Sequence, residues 1–237
     1  MERTLVFDLP VRLFHWLFAA GFLAAATIAI ALGEHHWLFP YHALIGLVLV
    51  LMAAWRVVWG LAGSRYARFR ALAFRPRAVI DYLHAELSGA GQEHVGHNPA
   101  SAYAIFAFLI LVFGLGTTGV MMGLGYDAVE EVHETLAWTM LAVVGIHLAG
   151  VIHYTVRHKR NIALSMVHGR KAADAQSGIA SARPVAAVIF LVLVAAWAGG
   201  LVRGFNPTGP TIHVPIVGTA LTIGENEHHD QPDHDDD

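Results

Sequence analysis

Five apolar blocks, each about as long as a bilayer is thick, leave this chain little choice of fold. They run from about 11–32, 41–59, 100–122, 129–154 and 184–202, and about 20 residues suffice to cross the hydrocarbon core as a helix. A helix of a water-soluble protein interrupts such a run with a polar stripe, and these blocks have none. With 56% hydrophobic and 14% charged residues, the chain reads as an all-α integral membrane protein. The first block is expected to stay as an anchor, because MERTLVFD ahead of it mixes acid with base and no small-residue cleavage pattern follows.

Basic residues set the orientation. Arg3, Arg12, Arg56, Arg65, Arg68, Arg70, Arg75 and Arg77 lie at or between the ends of the first three blocks on one side. Arg157, Lys159, Arg160, Arg170, Lys171 and Arg183 join them between the fourth and fifth, leaving only Arg203 for the other side. The crowded side is expected to be cytoplasmic, with the N-terminus inside and the C-terminus outside. Glu34, Asp127, Glu130, Glu131 and Glu134 gather on the opposite, outer side.

The chain has no cysteine and sixteen histidines. That excludes disulfides, iron–sulfur clusters, covalently attached haem and thiolate metal sites, and leaves imidazole as the one plentiful metal ligand. Nothing in the pattern points to nucleic acid. An imidazole inside a membrane span is costly unless it is paired or ligating. Four of them sort by depth into two levels. His42 and His133 lie near the outer ends of their spans, His15 and His147 near the inner ends. His133 and His147 share one helix and are fourteen residues apart, which is ~21 Å along the axis and within roughly 40° of one face. Two histidines at each level, on different helices, is what two stacked bis-histidine haems require.

Arg56 follows His42 by fourteen residues on the same helix, at the level of the inner pair. It is a candidate partner for a haem propionate; the rival reading is an arginine snorkelling at a helix end. His153 competes with His147 but lies about 200° around the helix from His133, away from the seam. Gly46, Gly145 and Gly150 are small enough for a porphyrin to lie against the backbone, and Gly114, Gly116 and Gly119 let a helix or flat ligand come close. His97, in GHNPA at the start of the third span, is a candidate contact for a quinone head group or a propionate. Asn98-Pro99 is a helix start signal in its own right.

The remaining segments carry less. PRAVIDYLHAEL reads as a short surface helix, and the polar stretch between the fourth and fifth spans as partly an interfacial helix. TIHVPIVGTALTIG reads as a short strand pair, and ENEHHDQPDHDDD, with His228, His229 and His234, as a disordered acidic tail with weak metal affinity. The expected division is a core over 1–171 and an added span with an outer tail over 172–237.

FDLPVRLFHW, LIGLVLVLMAAWRVVWGLAGSRYARF, GHNPA and VEEVHETLAWTMLAVVGIHLAGV together resemble the bacterial cytochrome b-561 family, which is similar to the b-type cytochrome subunit of nickel–iron hydrogenases. The resemblance covers about residues 4 to 171. It implies a four-helix transmembrane bundle with two b haems, the inner held by His15 and His147 and the outer by His42 and His133. It further implies electron exchange with membrane quinone and with a periplasmic partner, a c-type cytochrome or a hydrogenase-like subunit, in a chain able to form oligomers. The fifth span and tail depart from the shortest members. Two rival functions are a stand-alone reductase of quinone, superoxide or ferric iron, and a histidine-lined metal transporter. The transporter would need polar groups along a pore, and the second, third and fifth spans are almost wholly apolar at mid-depth.

Overall fold

A computed structural model describes residues 2–91, 94–207, 209, 211–215 and 218–223. Among the described residues five helices are long and apolar enough to cross a membrane. The first is α1, Leu9–Thr27, continued by a π-helical stretch, Ile28–Leu32. Asp8 caps its N-terminus by accepting from the Val11 amide at 2.9 Å, and Pro10 occupies the first turn, where a missing N–H costs nothing. The second span, α2, covers Phe39–Ala62, and a surface helix, α3, follows at Pro76–Ser88. Asn98 caps α4, Pro99–Gly123, through a 2.7 Å bond from the Ser101 amide. A tight turn then leads to α5, Glu130–His158. The last span is α7, Pro184–Gly204, after a single four-residue turn, α6, Ser165–His168.

The polar stretch before α7 departs from the interfacial helix expected of it. Beyond α6 it forms a strand, β2, Arg170–Ala173, antiparallel to an N-terminal strand, β1, Glu2–Leu5, with Leu5 opposite Arg170. Arg12 donates to the Val167 carbonyl and Trp16 Nε1 to that of Met166 at 3.0 Å. Backbone pairing with a distant segment satisfies these groups, which local helical periodicity cannot reveal. We call this end of the bundle inner. At the outer end the strand pair read from TIHVPIVGTALTIG is present as β4, Thr211–His213, and β5, Ala220–Thr222, joined by β3, Phe205–Asn206. Ile212, Leu221 and Ile223 close a cluster with Leu44 and Leu201, so this small sheet caps α2, α4 and α7. The acidic end with His228, His229 and His234 lies outside the described residues.

Packing order positions the site. α1 lies on α2, α2 on α4, and α4 on α5, while α7 covers the back of α1 and α2. Phe190 of α7 is fully buried against Trp55 of α2, ring centres 5.7 Å apart. Gly116 permits the α2–α4 approach, since a Cβ there would fall 2.3 Å from Val50. α5 makes no substantial contact with α1 or α2, and Met140 is its one buried residue. The helix that carries His133 and His147 therefore stands across an open cleft from the helices that carry His15 and His42.

Candidate haem sites

The outer pair is organised down to its protons. His42 and His133 bring their ring centres to 6.3 Å, with the planes at 74°. His42 Nδ1 lies 2.9 Å from the Ala25 carbonyl, just ahead of the π-helical stretch. A carbonyl only accepts, so the proton sits on Nδ1 and Nε2 keeps its lone pair. His133 Nδ1 lies 2.8 Å from Thr118 Oγ1, and that hydroxyl already donates to the Gly114 carbonyl at 2.9 Å. It therefore accepts from His133, whose Nε2 is likewise left as a lone pair. Fixing one ring nitrogen with a hydrogen-bond acceptor so that the other can ligate is how metal-binding histidines are held.

A gap of 6.3 Å between ring centres has room for one metal atom with a nitrogen bond of about 2 Å on either side. Among the described residues no group of three or more His, Cys, Asp or Glu side chains could hold a bare ion. A metal that brings its own in-plane ligands, as haem iron does, needs only such a pair. Gly46 and Gly145, with Gly150, have nothing within 4 Å of where a Cβ would stand, so the backbone beside His42 and His147 is open to a flat group.

The inner level is less closed. His147 lies edge-on to Phe108 of α4 at 5.7 Å, and His15 edge-on to Trp16 at 5.2 Å; the two histidines are within electrostatic reach of each other. His153 is exposed. Arg56 does not snorkel: it is 3% exposed, and both terminal guanidinium nitrogens are buried without a hydrogen-bond partner among the described residues. Phe69 lies beneath it at 5.6 Å, and Asp8, an acid within electrostatic reach of it, spends its oxygens on the Val11 amide and Trp59 Nε1. A buried cation with two unmade bidentate donors calls for an anion, and a haem propionate matches that need. The residues present thus fit haem at both levels.

His97 packs on Phe7 with ring centres 4.9 Å apart, and its Nδ1 is buried without a partner. Burial first, then the positive field of Arg56 and Lys171 with His15 and His147, pushes its imidazole from 6.5 down to about 3. The unfolded chain takes up this proton below 6.5 and the folded chain does not until about 3. Folded stability is therefore unaffected above 6.5 and is lost progressively as pH falls toward 3. Denaturant titrations across that window should show His97→Gln losing one proton's share of the pH slope.

Thr118 and the Ala25 carbonyl were not legible as site groups from residue type. The α4–α5 hairpin did hold a signal, since positions 118 and 133 are equidistant from Gly125–Tyr126 and so meet across two antiparallel helices.

The family model for prokaryotic cytochrome b561 matches residues 6–169, which include all four histidines. The chain belongs to the prokaryotic cytochrome b561 family. It is similar to the probable Ni/Fe-hydrogenase B-type cytochrome subunit of Cupriavidus necator, 24% identical over 212 residues, covering 71% of this chain and 87% of that one. The proteins of the same name from Bradyrhizobium diazoefficiens and Azotobacter vinelandii are 23% and 24% identical, covering 70% and 69% of this chain and 85% and 86% of theirs. No solved structure matches the chain. As a prokaryotic cytochrome b561 it is a multi-pass bacterial membrane protein that carries haem b and transfers electrons within the membrane. Helix α7 and the outer sheet lie beyond the matched residues.

Proposed function

We propose that this cytochrome holds two b haems, the inner between His15 and His147 and the outer between His42 and His133, and conducts single electrons between membrane quinone and a periplasmic redox protein. The observation that carries this reading is the outer imidazole pair, with both Nδ1 protons held and both Nε2 lone pairs left over at a ring separation of 6.3 Å. Haem held by two histidines would supply a one-electron redox centre with no position open to oxygen.

Arg56 holds an inner propionate, and His97 meets either a propionate or a quinone head group at the same end. The basic inner side is cytoplasmic. On the outer side Glu34, Asp127, Glu130, Glu131 and Glu134 are all exposed, a rim that attracts a basic partner such as a c-type cytochrome and speeds encounter at low salt. The three relatives compared are named as hydrogenase cytochrome subunits, which makes a hydrogenase-like subunit the other partner class for that rim.

The test uses the full chain in vesicles that trap a membrane-impermeant oxidant, with a quinol added to the membrane. Haem-loaded vesicles should reduce the trapped oxidant, and His133→Ala should abolish the transfer; passage at the parental rate through His133→Ala would refute the conduit. A finer expectation concerns Thr118→Val, which removes the acceptor of the His133 Nδ1 proton. Loss of such a supporting group weakens metal affinity by about 10–100-fold, so haem titration should show a weakened outer site and an unchanged inner one.

A further inference from the structure

The face of α5 that bears His133 and His147 does not end there. Tyr154 and His158 follow His147 at seven and eleven residues, both within roughly 20° of its direction. His158 Nε2 lies 3.1 Å from Glu86 Oε2 of α3, and its ring stacks on Tyr154 at 4.2 Å. Glu86 is 5% exposed, and its second oxygen, Oε1, is buried without a hydrogen-bond partner among the described residues. The loop after α3 closes over that oxygen at Gly91, where a Cβ would stand 2.4 Å away. Tyr82, one turn before Glu86, accepts a 2.9 Å bond from Asn98 Nδ2, and Asn98 adjoins His97. Polar groups thus run from the surface at His158, through Glu86 and Tyr82, to Asn98 at the start of α4.

Among the described residues, the ionisable groups facing Glu86 are Tyr82 from α3, Tyr154 and His158 from α5, and His94, edge-on to Tyr82 at 5.5 Å. The next cations are Arg157, whose guanidinium lies over Gly89, and Lys171, bound to the His94 and Gly96 carbonyls. Burial, and then the neighbouring Glu86 and Tyr154, raise the Tyr82 phenol well above its ordinary value. Tyr82 therefore stays a neutral hydrogen-bonding bridge beside Glu86. A buried carboxyl with one unmade bond is an unfavourable way to fasten α3 to α5. It is a favourable way to hold a transferable proton.

We propose that Glu86 and His158 form a proton relay that serves quinone at the inner end of the cleft. The proposal rests on the quinone reading above. Conversion of a quinone to a quinol takes two electrons, supplied by the transmembrane transfer, and two protons. For each proton the Tyr82 O–H bond breaks as an O–H bond forms on a quinone oxygen, Tyr82 regains its proton from Glu86, and the carboxylate regains its own from water through His158. Quinol oxidation runs the same transfers in reverse, with Glu86 as acceptor.

The experiment uses the full haem-loaded chain and follows haem reduction after rapid mixing with a short-chain quinol, beside a parallel arm with reduced methyl viologen, which delivers electrons without protons. Removal of a general acid or base costs on the order of 100-fold. Glu86→Gln should slow the quinol reaction by about that factor with viologen reduction unchanged, and Glu86→Asp should recover most of the rate. His158→Asn, which leaves the carboxyl in place, should also slow the quinol arm alone. Parental quinol rates in both Glu86→Gln and His158→Asn overturn the relay and leave the quinone reading intact. A parental chain reduced by viologen but never by quinol overturns the quinone reading and the relay with it.

Discussion

Replacing His133 with alanine should lower the haem content from two b haems per chain to one, and replacing His147 should remove the other. On the two-haem proposal, each substitution would delete one of the two histidine ligands at its own level. The ~21 Å between the levels exceeds the reach of any direct contact, so the two losses should be independent. For His133 the reason is sharper, because its deletion also removes the bond that the Thr118 hydroxyl accepts and leaves His42 with no imidazole across the 6.3 Å gap. Haem extraction with a reduced-minus-oxidised spectrum on each variant checks the result. His153→Ala is the control and should retain both haems, since that side chain is exposed. Loss of a haem from His153→Ala with His147→Ala intact would reassign the inner ligand.

Arg56→Met should act in opposite directions on haem-loaded and haem-depleted protein. The guanidinium is 3% exposed and, among the described residues, two of its nitrogens have no hydrogen-bond partner. Replacing an unpaired buried cation by an apolar chain of similar length relieves its desolvation, so the haem-depleted protein should melt higher. With haem bound, the same substitution strands a propionate. Breaking a buried pair from one side costs about 3–5 kcal/mol, so the inner haem should bind more weakly and the loaded protein should melt lower. Thermal melts of both forms, with haem titration at the inner site, read the two signs. Destabilisation of the haem-depleted form as well would show that Arg56 serves the fold and not the propionate.

The spans were legible because the bilayer demands length and apolarity, and both are local properties. The ends moved by a few residues where caps decide them: Asp8 and Pro10 start α1 at Leu9, two residues before the apolar block. The strand pair in the tail was legible from alternation, whereas its docking on Leu44 and Leu201 was not. In the stretch from 157 to 183, residues 162–168 are helical beyond α5, and Arg170–Ala173 pairs instead with β1 at the far end of the chain, which no local pattern reveals.

Sequence alone established an α-helical membrane protein of five spans, and one helix with histidines at two depths on one face. Hydrophobic length and the 3.6-residue turn suffice for both, because each acts within a single segment. The tertiary structure decided what no segment carries by itself: the cleft left between α5 and α1–α2, the protons held on Nδ1 of His42 and His133 by Ala25 and Thr118, the unpaired burial of Arg56, and the meeting of Glu86 with His158. A ring's tautomer and a cation's desolvation depend on atoms delivered by other helices, and only packing brings those atoms into place.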